Sequence, residues 1–293
     1  MIGRTLMRAT TALALSLGSA GAESLRFAGA TPALTMDPHA TNDFTTTAIF
    51  RQVYDSLVGL DLEMELVPAL AEEWEYIGDA TWRFTLRDGV LFHDGSELTA
   101  EDVAASIRRV QAESTGSPLA SRVSPIVGIE VVDDHTVVFT LDAPFAPILT
   151  SLSGIAIVPA EYEGDVESLQ QVPVGTGPFA FADWQPNSYI DLVGFDDYHQ
   201  DGQPRLEGLR FNFVPESATR QVGIASGDYH LLPGIDPATA LQLQGQPGLS
   251  VQETRDLSYT LVGFNVSREP FGDPAVRTAF NMLIDRTEII EGA

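Results

Sequence analysis

Residues 174–181 are VGTGPFAF, and a Gly-x-Gly turn of this kind can hold a phosphate group. A dinucleotide-binding fingerprint needs a further glycine where Ala180 stands, and Pro178 has no N–H to offer a pyrophosphate. The aromatic residues that follow alternate as in a strand, whereas an anion would need the N-terminus of a helix. We therefore predict a structural glycine turn and no nucleotide site.

The other reactive residue types do not form a catalytic or metal-binding pattern. The five histidines show neither H-x-x-x-H nor H-E-x-x-H spacing, so each is expected on the surface or in a turn. His39 differs from the other four in sharing a polar loop with Asp37, Asn42 and Asp43. The stretch DDYHQDG, 196–202, lacks the ligands of a calcium loop and is expected to be a turn. The sequence predicts no metal, no cofactor and no enzymatic site.

Composition narrows the classes of function further. The 293 residues include 41 acidic and 16 basic residues, for a net charge of −25, which repels phosphate backbones and disfavours nucleic acid as a partner. Lysine and cysteine are both absent, which excludes Walker and Schiff-base lysines, disulfides and thiolate chemistry.

The N-terminal segment predicts export. Arg4 and Arg8 precede a short apolar stretch, and Ala20 and Ala22 fit an A-x-A cleavage site. We expect removal of residues 1–22 and a periplasmic location. Lipid anchoring is not expected, because no cysteine stands at the cleavage point.

The remaining segments alternate between strand and helix patterns. A first strand is predicted in SLRFAGA, a helix at about 45–57, and a helix capped by Thr99 with Asp102 three residues later. Two strands are predicted in LSVQETRDLSYTLVGFNV, followed by a helix with Asp273 as its cap. The pattern indicates a mixed α/β to α+β fold without an internal repeat.

Several stretches, taken together and in order, resemble the extracellular solute-binding proteins of family 5, which serve ABC importers of dipeptides, oligopeptides and nickel. These stretches are LVPALAEEWEYIGDATWRFTLRDGVLFHDGSELTAEDVAASI, VGTGPFAFADW, DDYHQDGQPRLEGLRFNFVPESATR and FNVSREPFGDPAVRTAFNMLIDRTEII. The resemblance covers essentially everything after the predicted signal.

The resemblance implies a two-lobed fold of the type II periplasmic-binding-protein kind. Residues 23–264 would form lobe I, with an inserted subdomain at about 59–171, and residues 265–293 would form the crossover and the start of lobe II. Members of the family are considerably longer, so the second lobe is expected to be mostly missing.

The function implied by the resemblance is capture of a small solute, foremost a di- or oligopeptide, and its delivery to ABC permease subunits in the inner membrane. Opines, sugars and a nickel chelate remain open as solutes. The protein is expected to be a monomer that catalyses no reaction. The alternatives are a secreted hydrolase with an unrecognised carboxylate site and a periplasmic chaperone-like binder.

The candidate ligand-binding residues fall in three places. The loop after the first strand offers polar groups and one ring, although the same residues could simply cap the following helix. The inserted subdomain and the crossover, where the family places its cleft and hinge, supply the others. The predicted residues are Thr41, Asn42, Asp43, Phe44, Leu152, Ser153, Gly154 and Asn265.

Overall fold

The computed structural model describes residues 24–253 and 261–292. The predicted signal segment, 1–22, lies outside these residues. None of the helices in the described part of the chain is both long and apolar enough to span a bilayer.

The described strands begin with the one predicted in SLRFAGA. Within the described residues they are β1 (Leu25–Gly29), β2 (Val58–Leu60), β3 (Leu66–Pro68), β4 (Ala71–Gly78), β5 (Thr81–Leu86), β6 (Ile126–Asp133), β7 (Thr136–Leu141), β8 (Phe179–Gln185), β9 (Tyr189–Gly194) and β10 (Gly208–Phe213).

The helices are interspersed with the strands, and a 3-10 turn lies at Ala160–Tyr162. The helices of the described residues are α1 (Phe44–Val53), α2 (Ala100–Gln111), α3 (Ala120–Val123), α4 (Ile148–Leu152), α5 (Ser168–Gln171), α6 (Ser217–Ser226), α7 (Pro237–Leu243), α8 (Pro274–Leu283) and α9 (Arg286–Gly292).

Two four-stranded sheets organise the first compact unit, which ends at Leu241. One has the order β1-β10-β9-β8, with β1 parallel to β10 and the other pairs antiparallel. The other is antiparallel, with the order β4-β5-β7-β6. Parallel pairing of β1 with β10 places these two strands side by side, and the chain between β1 and β8 leaves the first sheet before β8 and β9 complete it.

Each sheet has its own apolar core. Helix α2 covers the antiparallel sheet with Val103, Ile107 and Val110, which recur at helical spacing and are fully buried. Helix α1 covers the first sheet with Ile49, Phe50 and Val53. The antiparallel sheet and α2 lie within the predicted inserted subdomain, whose boundaries at about 59 and 171 stay a prediction.

The caps of α2 and α8 confirm two sequence predictions. The Asp102 carboxylate accepts hydrogen bonds from the backbone N–H and the hydroxyl of Thr99, at 2.7 and 2.8 Å. Asp273 caps α8, with Pro274 in the first helical position.

Helix α1 is shorter than predicted, because it ends at Val53 rather than at about Leu57. Tyr54 turns to an extended conformation, and the carbonyl oxygen of Val53 accepts from the N–H of Gly177. This contact comes from a segment more than 120 residues away, so no local pattern could reveal it.

The second compact unit, Gln242–Ala293, contains α8 and α9. The two strands predicted in 249–266 lie partly outside the described residues, and residues 249–253 and 261–266 contain no strand. The compact units divide at Leu241, and the lobe boundary predicted at Phe264 stays a prediction.

Candidate functional site

A cleft of about 270 Å³ opens on the first compact unit, where the loop after β1 and the exposed side of α1 approach α3 and the turn after α4. Five of the predicted site residues line it: Thr41, Asn42, Phe44, Ser153 and Gly154.

The loop that leads to this cleft is anchored by a buried ion pair. Arg109 of α2 donates from Nη1 to Asp37 Oδ1 and from Nη2 to Asp37 Oδ2, at 3.0 and 2.6 Å. Two further guanidinium donors, on Nε and Nη2, reach the carbonyl oxygens of Tyr162 and Asp165. Every charge in this pair is compensated, as a buried ion pair requires.

His39 completes the anchor. It lies in a turn, as one of the two expected settings, and it is fully buried there, because its ring bridges Arg109 and the backbone of Ala156. Nδ1 accepts from Arg109 and Nε2–H donates to the Ala156 oxygen, an arrangement that requires the neutral ring. Burial, with Arg109 nearby, lowers the pKa of His39 from its ordinary 6.5 to about 4.

The carboxylate of Asp43 belongs to the helix. Its Oδ1 caps α1 by accepting from the backbone N–H and the hydroxyl of Thr46, both at 2.8 Å. Asp43 does not line the cleft, so the structure gives it the capping role that the sequence left open.

The neighbours of Asp43 face outward. The ring of Phe44, the first residue of α1, is 88% exposed. The Asn42 side chain is exposed and makes no hydrogen bond within the described residues. The hydroxyl of Thr41 accepts from the N–H of Asp43 at 3.0 Å and keeps its proton for another acceptor. These groups can stack on an apolar surface and exchange hydrogen bonds with a polar one.

The opposite side of the cleft comes from the turn after α4. Ser153 and Gly154 line it, while Leu152 is fully buried in the core of the antiparallel sheet and supports the turn from beneath. The sequence missed Arg122 of α3, whose guanidinium lies against Gly154.

Arg51 was also missed, although a signal for it exists. Thr47 and Arg51 follow Phe44 by three and seven residues, which places all three on one face of α1. All three line the cleft. Arg122 had no such signal, because its approach depends on how α3 packs against α4.

The glycine turn 174–178 has the structural role that was predicted. Gly177 packs on the end of α1, where a Cβ would lie 2.6 Å from the Val53 carbonyl carbon. His93 Nε2–H donates to the Gly177 oxygen at 2.9 Å, and burial lowers the pKa of His93. The backbone at residue 177 approaches the backbone at the end of α1 so closely that a side chain would not fit. This close approach, and not a left-handed backbone conformation, explains why the residue is glycine.

Asp55, which follows α1, ties this turn to the segment 196–202. Its carboxylate accepts from Thr176 and from His199, both at 3.2 Å, with Tyr198 at 3.4 Å. Burial and the Asp55 charge raise the pKa of Tyr198. The segment forms turns, as predicted, with Gly202 at a φ of 72°.

Asn265 lies in the second compact unit, where its side-chain oxygen accepts from the N–H of Ser267. Its role as a crossover residue stays a prediction. In the part of the chain that the structure describes, no three histidine or acidic side chains are placed to hold a metal ion.

The two sheets, the long excursion between β1 and β8 and the cleft beside it define the class as a type II periplasmic-binding-protein fold. The chain belongs to the bacterial extracellular solute-binding proteins of family 5, whose model (described as "family 5 Middle") matches residues 65–293. This family consists of transport proteins that bind solutes.

Individual relatives agree with this assignment. The chain is 29% identical over 263 residues to the glutathione-binding protein GsiB of Escherichia coli K12, covering 88% of this chain and 51% of GsiB. The periplasmic binding protein DppA of Helicobacter pylori, solved with the peptide STSA, gives a TM-score of 0.84 at 29% identity, covering 92% of this chain and 57% of DppA.

A third relative binds a different kind of molecule. AgaA from A. tumefaciens R10, solved with agropinic acid, gives a TM-score of 0.80 at 29% identity, covering 92% of this chain and 55% of AgaA. The chain spans about half the length of the curated relatives that it matches.

Proposed function

We propose that this protein is the solute-binding component of an ABC importer and that it captures a small solute, foremost a di- or oligopeptide. The cleft at the start of α1 carries the proposal, because it combines the exposed ring of Phe44 with the amide of Asn42, which has no hydrogen-bond partner among the described residues. GsiB and DppA support a peptide-like solute.

The proposed wall consists of groups suited to hold a ligand without reacting with it. Phe44 offers a ring for stacking, and Asn42 and Thr41 offer hydrogen-bonding groups. Ser153 donates its hydroxyl proton to the Thr150 oxygen and can still accept a hydrogen bond. Asp43 and Leu152 act by positioning these groups. Binding without catalysis is the role we assign.

The proposal includes the partners and the location of the protein. We expect it to be exported to the periplasm, to deliver its solute to permease subunits in the inner membrane, and to be a monomer with no nucleic-acid partner. The surplus of acidic residues supports the last expectation.

Calorimetric titration of the full-length protein tests the function. The probes are glutathione, the tetrapeptide Ser-Thr-Ser-Ala, agropinic acid and a neutral disaccharide. We expect saturable binding of at least one peptide, with a raised melting temperature and with the peptide recovered intact. Hydrolysis of the peptide would favour the hydrolase alternative. Binding of unfolded chains without affinity for any probe would favour the chaperone-like binder.

A further inference from the structure

The cleft contains two arginines that have no carboxylate partner among the residues that the structure describes. Arg51 and Arg122 both line it. Neither forms an ion pair or a side-chain hydrogen bond with any residue in 24–253 or 261–292. Other arginines of the same part of the chain do have carboxylate partners, among them Arg83, Arg108 and Arg210. Four of the 13 arginines in these ranges pair with a carboxylate, so an unpaired arginine is common, and it is the position of both Arg51 and Arg122 on one cleft that supports a binding role.

Asp55, an acidic residue that lines the cleft, does not pair with Arg51 or Arg122. Asp55 directs its two carboxylate oxygens to Thr176, Tyr198 and His199. Its side chain is only 16% exposed. The carboxylate is therefore committed to the turn behind α1, and the cleft keeps a positive lining.

Gly154 lets the guanidinium of Arg122 lie against the turn after α4. A Cβ at Gly154 would lie 2.5 Å from Arg122 Nη1, closer than real Cβ contacts. Gly154 has no left-handed φ that would by itself require glycine. The space that the missing side chain leaves is occupied by the guanidinium, so a planar donor group lies beside Ser153 at the cleft wall.

We propose that Arg122, assisted by Arg51, forms a subsite for a carboxylate of the bound solute, and that the solutes of this protein are therefore peptides or peptide-like acids with a free carboxylate. This inference rests on the proposed function, since it concerns the same cleft. A guanidinium presents paired N–H donors that match the two oxygens of a carboxylate. Phe44 and Asn42, at the start of α1, remain available to the rest of the solute.

The test compares acids with their amides in the full-length protein. The probes are Ser-Thr-Ser-Ala and glutathione, each with a free C-terminus and as the C-terminal amide, titrated by calorimetry. Of the two acids, we consider the one that wild type binds more tightly. Because a hydrogen-bonded charge pair should stabilise its complex, we expect wild type to bind it about tenfold to a hundredfold more tightly than its amide. Arg122→Gln should remove most of this preference by weakening binding of the acid, with little effect on the amide. Arg122→Lys should retain part of it.

Gly154→Ala provides a second variant that keeps every charge. Its Cβ displaces only the end of a flexible side chain, so the fold should persist while the preference for the acid falls. Arg83→Gln is the matched control, because it removes an exposed arginine that does not line the cleft. It should leave both affinities unchanged.

The outcomes separate the inference from the proposed function. Equal binding of acid and amide by wild type, or an undiminished preference in Arg122→Gln, would overturn the carboxylate subsite and leave solute binding intact. If wild type bound none of the four probes, the result would count against peptide capture itself, and the subsite would fall with it.

Discussion

Arg109 and Asp37, which are 72 residues apart in the chain, form a bidentate ion pair with no measurable solvent access to the arginine side chain. The pair joins helix α2, which covers the antiparallel sheet, to the loop that enters the cleft. The position of Thr41, Asn42 and Phe44 therefore depends on a contact made outside the cleft.

Removing one partner of this pair should be costly. Asp37→Ala leaves the Arg109 charge buried and uncompensated, and we expect a loss of about 3–5 kcal/mol in the free energy of unfolding. Urea denaturation measures it. The control is Glu75→Ala, which breaks the exposed pair with Arg83 and should cost about 0–1 kcal/mol. Similar losses in the two variants would show that the buried pair does not anchor the loop.

The pH dependence of stability should reveal the buried His39. Its native pKa of about 4 lies below the ordinary 6.5, so between these values the unfolded chain binds more protons than the native state. The free energy of unfolding should be highest above about pH 6.5 and decline as the pH falls toward 4. The contribution of this one group is at most about 1.4 kcal/mol per pH unit.

His39→Gln isolates this contribution, because the carboxylates that titrate at low pH are the same in both proteins. Between pH 6.5 and 4 the variant should lose stability less steeply than wild type. An equally steep loss of stability with falling pH in the two proteins would contradict a buried neutral ring. An imidazole NMR signal from His39 that titrates near pH 6.5 would also contradict it.

Gly177→Ala should destabilise the fold through a steric clash. The added methyl group would meet the backbone at Val53, which cannot rotate away, and overpacking of this kind costs about 1–3 kcal/mol. Gly164→Ala is the control, since no atom lies within 4 Å of its added Cβ. Thermal unfolding of both variants decides the matter, and equal melting temperatures would be the contrary result.

Phe44→Ala should separate binding from stability. The ring is almost fully exposed, so the change in unfolding free energy should stay within about 0.5 kcal/mol. Affinity for whichever of glutathione or Ser-Thr-Ser-Ala binds better should fall about tenfold if the ring stacks on the solute. Leu62→Ala, at a similarly exposed position that does not line the cleft, is the control. Unchanged affinity in Phe44→Ala would remove this ring from the site.

Export should remove residues 1–22. Protein recovered from a periplasmic extract should begin at Glu23, and intact-mass measurement detects this directly. Ala20→Arg, which places a large charged residue in the A-x-A motif, should block processing. Recovery of the protein with Met1 still attached would refute cleavage.

The sequence by itself determined the local features of this protein. The capping pair of Thr99 and Asp102 and the Asp273-Pro274 start of α8 were predicted correctly, because caps depend on a few neighbouring residues. The four stretches that resemble the family, which occur in order along the chain, also predicted the family correctly. Each of them can be recognised from its own residues without the folded structure.

Only the tertiary structure decided the features that depend on distant segments. The end of α1, the burial of His39 and the meeting of Arg122 with Gly154 each join segments at least 30 residues apart. The sequence placed Asp43 in the binding loop, but a carboxylate can cap a helix or face a ligand, and its hydrogen bonds to Thr46 assigned it to the cap. Local patterns report which face of an element is apolar, whereas a cleft is made by the spacing between elements, which only the packed chain determines.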